Sequence, residues 1–349
     1  MRNLKRRQQS RSATLRVGGI SEIIAVLKNF GIEPEELLTD AGIDPNSLND
    51  PGNLITYAAR DRLLKNCVAR TGCQHFGLQV GGRMDLLSLG LVGLLMKTSL
   101  TVGTALRGLV SFFHLHAQGA IVALRIEDDL AYLTYNVTEQ GLYAADQTGD
   151  GAVAMMLNIM RTLCGPEFRP VEAMFAHRTP VDIAPFRKLF KAPLNFNAET
   201  YSLVFSSDWL GVRPPAADAD INHLLEAQVN SQAMTCSPEF PEQVRRVLYS
   251  ALLTGHPSEE QIARLFSMSA RTFSRRLRDY DCGYQKLVEE VRCNIAQQLL
   301  TSTLLSVADI STSLGYSRAS TFIRSFRRWT GSTPAQWRAE QAIDSRAQG

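Results

Sequence analysis

The stretch "SARTFSRRLRDYDC", residues 269–282, sets four arginines within eight positions around Phe273 and Leu277. On a helix of 3.6 residues per turn, positions 273 and 277 stack one above the other, an apolar stripe that needs a surface to dock on. Arg271, Ser274, Arg275 and Arg278 follow i, i+3, i+4 and i+7 along a different face. A face meant only for solvent intersperses acids so that i,i+4 pairs form, and here the first acid is Asp279, at the helix end. The pattern predicts a short helix with one buried side and one side suited to a polyanion.

Working outward, Ser269 is placed to cap this helix, and Ser258 to cap "EEQIARLF", whose two glutamates favour the helix dipole. "SMS" makes the turn between them. A further helix is expected upstream, over about residues 241–253. Downstream, Gly283 follows the arginine helix as a C-terminal stop, and "YQKLVEEVRCNIAQQLL" predicts a helix of about 17 residues, ~25 Å long. The same grammar then repeats. Ser306 precedes "VADISTSL", Gly315 and Tyr316 form a turn, Ser317 is expected to cap "RASTFIRSFRRW", and Thr333 with Pro334 opens "PAQWRAEQ". Phe322 and Phe326 repeat the apolar pair, and Arg324, Arg327 and Arg328 repeat the basic stripe. Residues 237–340 therefore read as an all-α domain of two helix-turn-helix units, about 258–280 and 306–330, joined by a linker helix.

In such a unit the second helix enters the major groove, with its N-terminal residues at base edges. A guanidinium can donate two parallel hydrogen bonds to guanine O6 and N7, which makes Arg275 and Arg324 the expected base readers. Arg271, Ser274 and Ser320 lie nearer the N-termini on the same faces. Arg278, Arg327 and Arg328 lie further along and suit phosphates, although pairing with Glu289 or Glu290 is the competing use of any of these arginines. Thr272, Ser317, Arg318 and Arg338 complete the expected DNA-contacting set. Ile323 suits a thymine methyl, and a second unit reduced to packing and phosphate contact is the plainer alternative.

Charge is unevenly spread. Residues 1–16 hold six bases and no acid, residues 17–235 carry a net −7, and residues 236–349 a net +4. Residues 1–16 read as a basic disordered tail without the apolar stretch of a secretory signal, and 341–349 as a C-terminal tail. The most apolar run, "LLSLGLVGLLM" at 86–96, is too short for a membrane span and reads as a buried helix. The six scattered cysteines form no CxxC and no zinc spacing, so a reduced cytoplasmic compartment without a metal or cofactor is expected.

Residues 17–210 read as α+β. Helical spacing marks 20–31, 33–42, 54–70, 102–114 and 146–165, while "AIVALRIEDDLAYLTYNV" alternates as a hairpin and "VEAMFAH" and "TYSLVFSS" as strands of a small antiparallel sheet. Residues 211–236 form a linker with a connecting helix. His114, His116, Arg83 and Asp85 offer ligand chemistry, but a structural histidine and surface charge are the simpler readings. Met155, Met156 and Met160 suit the core. Arg107 and Arg125 would suit an anionic effector. The effector-binding residues stay unknown at this level.

"IARLFSMSARTFSRRLRDYDCGYQKLVEEVRCNIAQQLL" with "SVADISTSLGYSRASTFIRSFRRWTGSTPAQWR" closely resembles the DNA-binding domain of the AraC/XylS family of bacterial transcription regulators, over about residues 240–340. Ser267 in the first turn, where glycine would ease the backbone, is a departure. "FGLQVGGRMDLLSLGLVGLLMKTSLTVGTALRGLVSFFHLH" and "LVFSSDWL" look like the arabinose-binding-type sensor region of ornithine-utilisation-type regulators. The resemblance implies an effector-binding, dimerising N-terminal domain that governs a promoter-binding C-terminal one, with double-stranded promoter DNA, RNA polymerase and a small-molecule effector as partners. It names no sugar. The reading is an effector-responsive activator of metabolic or virulence-type genes and not an enzyme. A repair enzyme with a DNA-targeting tail is the alternative, but residues 17–210 show no nucleophile motif or metal cluster to serve it.

Overall fold

The computed structural model describes residues 13–139, 141–142, 144–235, 239–254, 257–266 and 268–347. Most of the expected basic tail, Cys236 in the linker and Ser267 in the first turn lie outside the described residues. In chain order the helices are α1 (Ile20–Asn29), α2 (Glu35–Ala41), α3 (Tyr57–Thr71), α4 (Phe76–Gly81), α5 (Leu91–Thr98), α6 (Val102–Phe112), α7 (Ala145–Cys164), α8 (Ala184–Phe190) and α9 (Ala219–Thr235). Then follow α10 (Phe240–Thr254), α11 (Glu259–Leu265), α12 (Ala270–Arg278), α13 (Tyr284–Ser302), α14 (Val307–Ser313), α15 (Ala319–Thr330) and α16 (Pro334–Ala347). The strands are β1 (Thr14–Arg16), β2 (Leu54–Thr56), β3 (Ala120–Glu127), β4 (Leu130–Val137), β5 (Glu172–Phe175), β6 (Leu194–Phe196) and β7 (Tyr201–Ser206). They pack as two units: the described chain up to Ala120 with Val137–Phe168 and Ser207–Val229, and Ile121–Asn136 with Arg169–Ser206 and the chain from Asn230 onward.

The first unit is mainly helical. Within it α4 crosses α7 closely: a Cβ added to Gly81 would stand 2.0 Å from the Gly151 carbonyl oxygen and one on Gly77 equally close to that of Gln147. Only glycine permits backbones this near. The Gln147 side chain bridges the crossing, accepting from Gly77 N–H at 2.8 Å and donating to the Gln74 carbonyl at 2.9 Å. Met155, Met156 and Met160 on α7 are buried.

Three expectations change here. The helix foreseen from Leu54 begins at Tyr57, because Leu54–Thr56 pairs antiparallel with Thr14–Arg16 and the Thr56 hydroxyl then caps α3 at Ala59 N–H. The same pairing ends the basic tail before Thr14. The run 86–96 is not one helix. A 3-10 turn over Leu86–Leu89 stops at Gly90, whose φ of 60° and ψ of −129° break the ladder before α5.

In the second unit a five-stranded sheet has the order β3-β4-β7-β5-β6. It is antiparallel except for β5–β6, which is parallel, so the small sheet is mixed at one edge. The β3–β4 hairpin turns on Asp128 at φ 52°, and α8 and β6 add elements the sequence pattern did not mark. Helices α10–α16 gather around Phe273, Leu277, Leu287, Val291, Leu299, Phe322 and Phe326, all buried, and Ile121 of β3 joins this cluster. The molecule is thus an α+β N-terminal region followed by an all-α region of two helix-turn-helix units on a shared linker helix.

Candidate DNA-binding surface

Each unit starts from a cap. In the first, Ser258 and Gln261 form a reciprocal capping box, with Ser258 N–H to Gln261 Oε1 at 2.7 Å and Gln261 N–H to Ser258 Oγ at 3.2 Å. In the second, Ser306 and Asp309 do the same at 3.1 Å each way. Hydrogen bonds from the Ser306 hydroxyl and N–H hold the Asp309 carboxyl below its ordinary pKa. Ser269 caps α12 by accepting from Thr272 N–H at 3.3 Å.

Ser317 does not cap α15. The capping position is Arg318, at φ −143°, with no side-chain bond. Gly315, at φ 80°, returns the chain through a turn one residue longer than that of the first unit. Gly283 also departs from expectation. Its φ of −121° is extended and it precedes α13 as that helix's N-cap, while Asp281, at φ 51°, takes the left-handed position after α12.

The longer turn sets the register of the repeat. Counted from the observed caps, Ser269 and Arg318, both Arg275 and Arg324 stand at the sixth residue, and Arg278 matches Arg327. Arg271 matches Ser320, and Thr272 matches Thr321, an exposed residue that the sequence reading had not singled out. Ser274 matches Ile323. Aligning the Phe273/Leu277 and Phe322/Phe326 pairs would have revealed this 49-residue register.

Both helices stand on aromatic undersides. The Phe273 ring lies 5.5 Å from that of Phe240, 5.8 Å from Phe266 and 6.2 Å from Tyr284. Phe322 lies 5.6 Å from Tyr316 and 5.8 Å from Phe326, which meets Trp337 edge-on at 6.0 Å. The opposite faces are solvent-exposed. Arg271, Arg275, Arg278, Arg318, Arg324 and Arg327 are all exposed, and among the described residues none pairs with a carboxylate. Five of these uncompensated cations lie on α12 and α15, and Arg318 stands at the cap of α15; guanidinium donors of this kind match the acceptors of phosphates and guanine edges.

Other expected contact residues are engaged within the protein. Arg328 pairs with Glu289 at 2.7 Å, bringing α15 to α13. Arg338 donates inward, to the Leu300 carbonyl at 3.1 Å and the Leu305 carbonyl at 2.6 Å, so it ties α16 to the end of α13. Burial, then the nearby Arg178 charge, lowers its pKa from the ordinary guanidinium value. The Ser274 hydroxyl donates to the Glu259 carboxylate, locking α12 to α11. Arg276, the third arginine of the opening stretch, lies over the Phe240 ring at 4.3 Å. Ser317 and Ser320 remain exposed, as does Thr272, whose hydroxyl meets that of Ser269 at 3.0 Å.

Three ligand candidates of the first unit make contacts within the protein. His116 is buried near Arg60 and Arg16, and desolvation, helped by those two charges, pushes its pKa down to about 4. Arg83 pairs with Glu22 at 3.0 Å, and Asp85 caps the Leu86–Leu89 turn. In the second unit Arg125 pairs with Glu127 and lies over Tyr132 at 4.1 Å. Among the described residues no three His, Cys, Asp or Glu side chains are grouped to hold a metal, and no helix is long and apolar enough to cross a membrane.

Two helix-turn-helix units on one helix, each exposing arginines, define a DNA-binding protein of the helix-turn-helix class. The sequence profile of the arabinose-binding N-terminal domain of AraC transcription regulators matches residues 31–213, and a helix-turn-helix domain profile matches residues 262–340. The chain belongs to the AraC family of transcription regulators. It is 26% identical to an ornithine utilization regulator of Pseudomonas aeruginosa, over 90% of this chain and 94% of the relative. It is 25% identical to the regulator VirS of Mycobacterium tuberculosis, over 92% and 95%. Among solved structures it is similar to the regulator CdpR of Pseudomonas aeruginosa, with 21% identity, a TM-score of 0.49, and coverage of 92% of this chain and 98% of that one.

Proposed function

We propose that this regulator lays α12 and α15 into two successive major-groove segments of promoter DNA. Arg275 and Arg324 read bases, Arg271, Thr272 and Ser320 assist near the helix starts, and Arg278, Arg318 and Arg327 hold phosphates. Ser274, Arg328 and Arg338 position these helices. The observation that carries this reading is the equal placing of Arg275 and Arg324, exposed and without carboxylate partners, at the sixth residue after their caps. Helix α13, 19 residues and so about 28 Å long, suits two grooves one duplex turn, roughly 34 Å, apart.

The remaining parts of the reading rest on family likeness. Residues 17–210 form the effector-binding and dimerising domain, 211–236 the linker and 237–340 the DNA-binding domain. The protein acts in the cytoplasm as an activator of metabolic or virulence-type genes, in contact with RNA polymerase, and has no enzymatic activity. A genomic footprint of the intact protein names its sites. Arg275→Ala and Arg324→Ala should each lose about 1 to 3 kcal/mol of affinity there and relax base choice in different halves of the footprint. Unchanged footprints in both variants refute the assignment.

A further inference from the structure

A cavity of about 580 Å³ opens beside the β5–β6 edge of the sheet, within the size range of small-molecule sites. Four polar side chains line it: Glu172 at the start of β5, Thr179 in the loop that follows, Arg187 on α8 and Asn195 in β6. Ile183 and Phe196 supply apolar wall. Among the described residues, none of the four polar side chains has a hydrogen-bond or ion-pair partner. Glu172 and Arg187 share one cavity without satisfying each other, unlike Arg83, Arg245 and Arg328, which each hold a carboxylate.

An anion and a cation held apart in one pocket call for a ligand bearing both opposite charges. Glu172 is half-buried and Arg187 exposed; a dicarboxylate would meet Glu172 with like charge, a polyamine would do the same at Arg187, and a neutral sugar would use neither charge. An α-amino acid offers a carboxylate for the Arg187 fork and an ammonium for Glu172, with Thr179 and Asn195 free to complete the hydrogen bonding.

The rim of the cavity continues into the second helix-turn-helix. Thr179 follows Arg178, whose N–H donates to the Ser302 carbonyl at 3.0 Å. Phe196 precedes Asn197, whose Oδ1 accepts from Leu304 N–H at 3.0 Å while its own backbone is held at φ 59°. Glu199 then accepts from the Ser313 hydroxyl. Ser302 ends α13, Leu304 lies between α13 and α14, and Ser313 ends α14, so both strands of the pocket rim grip the entrance to the second unit.

We propose that this cavity binds a small zwitterion of the α-amino acid class and that occupancy is transmitted to the second helix-turn-helix through Arg178 and Asn197. The binding claim stands alone, and the transmission claim rests on the regulator reading above. The test is a melting-temperature screen of the full chain against the twenty common α-amino acids. Each is run beside the amine lacking its carboxylate and the keto acid lacking its ammonium.

At least one amino acid, at about 100 times its Kd, should raise the melting temperature by about 5 °C, with both truncated analogues silent. Arg187→Ala and Glu172→Gln alter exposed or half-buried groups and should remove the shift while the ligand-free melting temperature holds. Asn197→Ala should keep the shift but lose the ligand's effect on affinity for the footprinted DNA. A screen without any amino-acid shift, or a shift that survives both pocket substitutions, overturns the site. A ligand effect on DNA binding that survives Asn197→Ala overturns the route. Full-chain protein that binds no DNA with or without ligand refutes the regulator reading, and the melting screen then decides the pocket separately.

Discussion

The salt dependence of DNA binding follows from which arginines the structure leaves uncompensated. With Arg271, Arg275 and Arg324 at bases, Arg278, Arg318 and Arg327 remain for phosphates, while Arg328 is held by Glu289. Three phosphate contacts give a slope of log affinity against log salt of about −2.7, at about −0.9 per contact. Raising salt from about 50 to about 200 mM should then weaken binding about 40-fold. Arg327→Ala should reduce that drop to about 12-fold and weaken binding to any duplex alike. Arg328→Ala should leave the slope where it was, because an exposed pair of this kind contributes at most about 1 kcal/mol to stability and its cation is already engaged. The assay is fluorescence anisotropy on a labelled duplex carrying the footprint, titrated across the salt series. A slope near zero, or Arg328→Ala matching Arg327→Ala, refutes the reasoning.

Three further outcomes follow from packing and burial. Gly81→Ala forces a Cβ to within 2.0 Å of the Gly151 carbonyl and should cost at least about 1 to 3 kcal/mol in urea denaturation. Gly211→Ala meets nothing within 4 Å and serves as the neutral control. Phe273→Ala empties the fully buried underside of α12 and should cost about 3 to 5 kcal/mol, with loss of DNA binding in the same preparation. His116 has a folded pKa of about 4, below the ordinary 6.5, so the unfolded chain binds the proton more readily as pH falls between those values. Stability should therefore be intact above pH 6.5 and decline by up to about 3 kcal/mol toward pH 4, a decline that His116→Gln should remove from the melting curve. An identical acid response in that variant would exclude His116 as its source.

What was legible in the sequence was local. Ser258, Ser269 and Ser306 cap where their spacing to the next apolar residue predicts, and the Phe273/Leu277 and Phe322/Phe326 pairs are buried as their i,i+4 spacing requires. The β3–β4 hairpin showed because eight-residue strands alternate long enough to be recognised. β1, β2 and β6 have three residues each, too few for a period, and their existence depends on partners elsewhere in the chain. The cap of α15 was misplaced by one residue because the left-handed Gly315 lengthens its turn, a backbone choice that serine spacing does not encode. Arg328 and Arg338 carry the same charge as their neighbours. Only the placing of Glu289 and of the carbonyls ending α13 distinguishes their inward use from outward exposure.

Helix α13 is shared by both halves of the basic surface, and that makes it a phase-setting ruler. One residue inserted near Asn294 would advance the distal half by about 1.5 Å and rotate it by about 100°. The small translation would be tolerable, but the rotation would aim the α15 arginines away from the groove. Evolution can therefore vary the letters each half recognises far more freely than it can vary the length of the rod between them.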